Sequence, residues 1–239
     1  MKPTYQDALA YYGVGGAHPG GLTLTKKVLS REHIHQGMKI LDAGCGTGLT
    51  SVFLKKTYQC QVTALDHNPI MVDRAKQRFM KEHLPITILK GSIEKLPFPD
   101  HSFDMVIAES VTAFTRIEHT MKEYYRVLKP GGILLNMDMT AEHPLTPNEI
   151  QQIIAVYGVP KVLTEEEWLS HFIKSGFHST KIIVAKSVHS QLSGSSSFEE
   201  PEIENNEYHP LMAEKILEHQ KLLAKFQKKL GYRVFRAIR

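Results

Sequence analysis

Apolar and polar positions change period about every ten residues, and through the middle of the chain the change is regular. Lys39-Ile40-Leu41-Asp42 is a short apolar run ending in a glycine-rich turn, the pattern of a buried strand. Leu49–Lys56 continues as a helix and Gln61–Leu65 as a second strand. Asn68-Pro69 supplies an N-cap followed by proline at the first helical position, opening a helix over Ile70–His83. Ile86–Leu89 and Met105–Ala108 are further strands, and Thr120–Leu128 is helical until Lys129-Pro130-Gly131-Gly132 stops it before a strand over Ile133–Met137. This alternation predicts an α/β fold, a doubly wound and mostly parallel sheet with helices on both faces.

The flanks are less regular. A short helical pattern is followed by Gly13-Val14-Gly15-Gly16-Ala17-His18-Pro19-Gly20-Gly21, too glycine-rich for regular structure, and a helix follows over Leu22–His35. Downstream, Thr146-Pro147-Asn148-Glu149 and Thr164–Glu167 have the spacing of capping boxes, the second helix ending at Gly176. Lys181–Ala185 is a strand. Residues 187–210, centred on Ser193-Gly194-Ser195-Ser196-Ser197, have the composition of a mobile linker. A long amphipathic helix over Leu211–Leu230 and a last strand over Tyr232–Ile238 complete one domain of 239 residues. Its expected parts are an N-terminal lid and helix (1–36), a cofactor-binding core (37–139), and a substrate-side segment with a C-terminal insertion (140–239).

Composition excludes more than it selects. Hydrophobic residues are 42% and charged residues 23%, and Lys plus Arg exceed Asp plus Glu by 29 to 25. The excess is too small and scattered to imply nucleic acid. No run approaches the ~20 apolar residues of a membrane span, and the N-terminus lacks the apolar core of a signal peptide. Cys45 and Cys60 have neither disulfide-framework nor zinc spacing, and His33-Ile34-His35 lacks accompanying ligands. The expectation is a cytoplasmic protein, monomer or homodimer, with no metal, nucleic-acid or membrane partner.

The candidate chemistry lies at the strand ends. Ile40-Leu41-Asp42-Ala43-Gly44-Cys45-Gly46-Thr47-Gly48 places glycines at alternate positions between a strand and a helix. Backbone there can approach a ligand, and the helix N-terminus points its amides at it. A dinucleotide turn would carry a third glycine at position 49, which is Leu, and a phosphate-binding loop would need a GK[ST] that is absent. Asp66 ends the second strand, where a carboxylate can accept from ribose hydroxyls. Gly91-Ser92-Ile93-Glu94 follows the third strand, with Ile93 offering an apolar face to a base.

These segments, with Asp100-His101-Ser102-Phe103-Asp104 and Val127-Leu128-Lys129-Pro130-Gly131-Gly132, resemble the class I S-adenosylmethionine-dependent methyltransferases, near the ubiquinone/menaquinone and sterol methyltransferase branch. The resemblance spans about residues 38–139. It implies a Rossmann-like sheet of about seven strands with an antiparallel last strand, and S-adenosyl-L-methionine as cofactor. It implies a cofactor site of Asp42, Ala43, Gly44, Cys45, Gly46, Gly48, Asp66, His67, Met71, Ser92, Ile93, Glu94, Glu109 and Ser110. Within it, Gly44, Cys45 and Gly46 line the methionine part, Asp66 holds the ribose, His67 and Met71 flank the adenine, and Glu109 and Ser110 face the methyl. The family usually has Asp where this chain has Ser92, a weaker neutral acceptor.

The expected reaction is direct in-line methyl transfer to a small-molecule acceptor that the sequence leaves unidentified. His18 and Glu109 are the candidate bases where the acceptor must lose a proton. The lid (Tyr11-Tyr12-Gly13 and His18-Pro19-Gly20-Gly21) and a substrate-side set of His143, Tyr157, Trp168 and Phe172 would enclose the acceptor. Two alternatives stay open: a non-catalytic protein gated by cofactor occupancy, and a nicotinamide-dependent oxidoreductase.

Overall fold

The computed structural model describes residues 3–193 and 202–239. The chain opens with α1 (Tyr5–Tyr12), β1 (Val14–Gly15) and α2 (Gly21–Leu29), then alternates through β2 (Lys39–Ala43), α3 (Leu49–Tyr58), β3 (Gln61–Asp66), α4 (Pro69–Lys81), β4 (Thr87–Lys90) and β5 (Phe103–Glu109). A single 3-10 turn, Thr112–Phe114, leads to α5 (Ile117–Val127), β6 (Leu128–Ala141), α6 (Pro147–Tyr157), α7 (Glu165–Lys174) and β7 (Ser179–Ser187). Finally come α8 (Val188–Ser193), β8 (Glu202–Ile203), α9 (Pro210–Phe226) and β9 (Leu230–Ile238).

Seven strands form one sheet in the order β4-β3-β2-β5-β6-β9-β7. The first five are parallel, and β9 inserts antiparallel between β6 and β7. The expected seven-stranded architecture with an antiparallel last strand is therefore the observed one. Successive strand residues point to opposite faces, and both faces are buried. Leu41, Val106, Leu134 and Phe235 pack with Tyr124, Trp168 and Phe172 on one side. Ile40, Met105, Leu135 and Val234 pack with Leu24, Val28 and Leu54 on the other.

Local signals explain where most helices begin. Thr146 and Glu149 cap α6 reciprocally, as Thr164 and Glu167 cap α7. The Asn68 side chain accepts from the Ile70 amide, with Pro69 at the first position of α4. Four expectations differ from the structure. Val14–Gly15 forms β1 inside the segment expected to be too glycine-rich for regular structure, because β8 offers it a pairing partner from far along the chain. The helix expected to reach His35 ends at Leu29, capped by Ser30. Strand β6 begins at Leu128, before Pro130; its register with β5 jumps from Leu128 to Ile133, and Gly131 turns at φ 76° to reach the Arg239 carbonyl. Within residues 187–210, α8 and β8 are regular structure where a linker was expected; the Ser-Gly-rich centre of that linker, residues 194–201, lies outside the described residues.

Candidate functional site

The site is built on the carboxyl edge of the parallel strands. After Ala43 the chain turns sharply, with Gly44, Gly46 and Gly48 at φ 77°, 53° and 81°, where only glycine sits without strain. The amides of Gly44 and Cys45 both donate to the Leu65 carbonyl, at 2.8 and 3.0 Å, fastening the turn to the end of β3. A Cβ at Gly44 would lie 2.5 Å from Val111 Cγ2, and one at Gly48 2.6 Å from Phe79 Cε1. At Gly46 it would meet nothing within 4 Å. Packing demands the outer two glycines, whereas the middle one borders open space in front of the α3 N-terminus. That is the cradle a bound cofactor needs.

Three carboxylates surround this turn. Asp66, buried at the tip of β3, accepts from the Gly46 amide through Oδ2 and from the Asn68 amide through Oδ1, each at 2.9 Å. Asp42, at the end of β2, accepts from the Ser51 hydroxyl at 2.6 Å. Burial pushes the Asp42 carboxyl up to about 7, against the lowering effect of that hydroxyl, and Glu109 and Asp66 add to the rise. Glu109 ends β5; its Oε1 accepts from Thr25 of α2 at 2.5 Å and its Oε2 from Thr50 of α3 at 2.6 Å. Burial also raises the Cys45 thiol, which disfavours the thiolate form.

The structure brings His18 to the same place. Its Nε2 lies 3.7 Å from Glu109 Oε1 and 3.4 Å from Thr25 Oγ1, and its Nδ1 lies 3.4 Å from the Pro19 carbonyl. Side-chain exposure is 6% for His18 and 11% for Glu109, so a proton here is shielded from bulk water. Thr25 and Thr50 had no local signature, because they meet Glu109 across 84 and 59 residues of chain.

The remaining expected site residues divide. Met71 and Ile93 are buried near the β3 and β4 ends, while the His67 ring is largely exposed with Nδ1 3.6 Å from Asp66. The Ser92 hydroxyl accepts from the Glu94 amide at 3.1 Å. The Glu94 carboxylate accepts from the Arg116 amide and Nε at 2.9 and 2.6 Å, which fixes its side chain, while its own amide is taken by Ser92. Ser110 sits at φ 53° and donates its amide to Met137, a strained turn that redirects the chain directly after Glu109. Among the described residues, no group of three or more His, Cys, Asp or Glu is placed to hold a metal. No helix there is long and apolar enough to cross a membrane.

The acceptor side needs a correction. Trp168 and Phe172 are fully buried against Phe235, with ring centroids 5.9 and 5.1 Å away, and His143 is exposed. Tyr157 alone of that set faces the N-terminal segment. Its hydroxyl pairs with His219 Nδ1 at 2.8 Å, and His219 stacks on Tyr5 of α1 at 4.6 Å.

Comparison with known proteins identifies the family. Residues 41–136 match the family model described as a methyltransferase domain. An uncharacterized methyltransferase of Bacillus subtilis (strain 168), YodH, is 40% identical over 177 residues, covering 74% of this chain and 76% of that protein. A malonyl-[acyl-carrier protein] O-methyltransferase of Serratia marcescens is 34% identical over 139 residues, 56% of this chain and 52% of that one. A phosphoethanolamine N-methyltransferase of Haemonchus contortus, solved with S-adenosyl-L-methionine, superposes with a TM-score of 0.77 at 18% identity, over 99% of this chain and 57% of that one. Since the matched segment carries the glycine turn, Asp66 and Glu109 on the sheet order found here, the chain belongs to the class I S-adenosylmethionine-dependent methyltransferases.

Proposed function

We propose that this methyltransferase alkylates a small-molecule acceptor, with His18 and Glu109 handling the proton where the acceptor carries one. The observation behind this reading is the 3.7 Å approach of His18 to Glu109 in a nearly buried position beside the glycine turn. Residues for the cofactor follow from the same edge. Gly44, Cys45, Gly46 and Gly48, with Asp42 and Ala43 behind them, would hold its amino-acid part. Asp66 would hold the ribose, since each carboxylate oxygen takes one backbone donor and keeps lone-pair capacity for a hydroxyl. His67, Met71, Ser92, Ile93 and Glu94 would border the adenine, and Ser110 would stand beside Glu109 at the methyl.

Bound there, the cofactor supplies a methyl group on a sulfonium, open to in-line displacement. The protein's part is alignment and shelter; holding two reactants in line contributes roughly 7–11 kcal/mol. The N-terminal segment excludes water from the reacting atoms. A proton taken at His18 Nε2 is met by Thr25 Oγ1 and Glu109 Oε1. A small acceptor is supported by relatives named for such substrates, including 2-methyl-6-phytyl-1,4-hydroquinone methyltransferase of rice.

The test is a panel of candidate acceptors with methyl-labelled cofactor, following S-adenosylhomocysteine release. On the acceptor found, His18→Ala and Glu109→Gln should each lower turnover by about 10²–10⁴-fold at neutral pH. Full turnover in both variants would remove the proton-handling role and leave the methyltransferase assignment standing.

A further inference from the structure

The lid expected at the N-terminus has a second half that the sequence did not reveal. Strand β1 pairs antiparallel with β8, Val14 opposite Ile203 and Gly15 opposite Glu202. The two segments are fastened further along: the amides of Glu204 and Asn205 donate to the Tyr12 carbonyl at 3.1 and 3.0 Å, and the Asn205 side chain to that of Tyr11 at 3.2 Å. A ladder of two residues per strand does not hold by itself. What completes it is a pair of arginines four residues apart on α4, hence on one helix face.

Arg74 donates from Nε to the Ala10 carbonyl, from Nη2 to the Tyr11 carbonyl and from Nη1 to Glu204, at 3.2, 2.8 and 2.9 Å. Arg78 donates from Nη2 to Glu204 at 2.6 Å, and its Nη1 lies 3.0 Å from Glu202. The Nε of Arg78 donates at 2.8 Å to the carbonyl of Thr47, inside the glycine turn itself. The lid in turn rests on that turn. A Cβ at Gly15 would lie 2.6 Å from Leu49 Cδ1 and 2.8 Å from Thr47 Oγ1. Three residues later the same segment carries His18 to Glu109.

We propose that Arg78 is a positioning residue that latches the 202–205 segment to the cofactor turn, so that cofactor exchange requires the Arg78–Glu202–Glu204 contacts to open. This rests on the reading that the Gly44–Gly48 turn holds S-adenosylmethionine. A guanidinium that grips the turn with one nitrogen and the insertion with two others ties lid position to turn geometry. Closure and cofactor affinity are then linked, and each raises the other. Glu202 is half exposed, so its pair with Arg78 is open to screening by salt, as suits a contact that opens in every cycle, whereas Glu204 is more sheltered.

The experiment uses the full chain and S-adenosylhomocysteine as probe, with its dissociation rate measured at 50 and 500 mM salt. Release from the unaltered protein should speed up several-fold with salt. In Glu202→Gln/Glu204→Gln it should be about three- to tenfold faster at low salt and nearly indifferent to added salt. Val14→Cys/Ile203→Cys, oxidised across the β1–β8 pair, should release the probe at least tenfold more slowly, with recovery under dithiothreitol; the same sample serves as its own folding control. Release from the Gln variant at the unaltered rate and with unaltered salt response would overturn the latch alone. Absence of probe binding by the folded unaltered protein would overturn the cofactor reading along with it.

Discussion

The Gly46 amide donates to Asp66 Oδ2 at 2.9 Å, joining the glycine that borders open space to the carboxylate at the tip of the next strand. Neither residue can shift without the other. The turn and its acidic partner are thus joined in one hydrogen-bonded unit. Asp66→Asn keeps one oxygen acceptor and loses the charge, so it should weaken S-adenosylhomocysteine binding by about tenfold, one lost charge-assisted hydrogen bond. Calorimetric titration of that variant measures the effect.

The three turn glycines should respond differently to alanine. At Gly48 the added Cβ meets the Phe79 ring at 2.6 Å, so Gly48→Ala should cost about 2–3 kcal/mol of stability through overpacking and left-handed strain together. At Gly46 the space is open, and Gly46→Ala should cost only about 1–2 kcal/mol, the strain alone, while reducing probe affinity more than Gly48→Ala does in protein that remains folded. Urea midpoints and probe titrations on both variants separate the two effects. Equal affinity losses would mean that the open space at Gly46 is not where the cofactor lies.

Much of this unit was legible in the sequence, and the reason is locality. The turn spacing, the Asn68-Pro69 cap and the two capping boxes involve residues two to four apart, whose chemistry acts at close range whatever the rest of the chain does. The mostly parallel sheet followed from the strand–helix rhythm, and its seven strands with an antiparallel last one from the family resemblance, whereas the strand order came only from the structure. By contrast, Arg78 meets Glu204 across 126 residues, and Glu109 meets Thr25 across 84. An exposed-looking Arg on α4 and a Thr inside an amphipathic helix carry no sign of such partners. The early end of α2 is similar: Ile34 fits the apolar period, but it packs as an edge contact after the helix has stopped at Leu29.

Two buried titratable groups should give stability opposite pH slopes. Asp138 on β6 is pushed up to about 7 by burial, although the Ala113 amide, Asn136 and Thr112 act against the rise. The native state holds this proton between about pH 4 and 7 while the unfolded chain has released it, so stability falls as pH rises through that window. His219 is lowered to about 4 by burial. Its contribution is full above the unfolded value of about 6.5 and is lost as pH falls toward 4. Each contribution is on the order of a few kcal/mol. Asp138→Asn should therefore leave stability rising more steeply from pH 4 to 7, and His219→Gln should leave it falling. Urea midpoints across that range test both; slopes unchanged in both variants would refute the assignment.

The aromatic junction between α1, α6 and α9 should hold the N-terminal segment down. Removing the Tyr157 hydroxyl leaves His219 Nδ1 without its 2.8 Å partner in a mostly buried place. Tyr157→Phe should cost about 1 kcal/mol of stability and should increase proteolytic cleavage ahead of α2. Limited proteolysis with and without the probe measures the latter. Cleavage at the unaltered rate would show that the junction does not restrain the segment.

One titration bears on the whole reading more directly than any other: S-adenosylhomocysteine into the unaltered protein and into Asp66→Ala, each first shown to be folded by its far-ultraviolet spectrum. The expected result is one site per chain in the unaltered protein and at least a tenfold weaker one in Asp66→Ala. Equal affinities in the two proteins would contradict the placement of the nucleoside against Asp66, and with it the site described above.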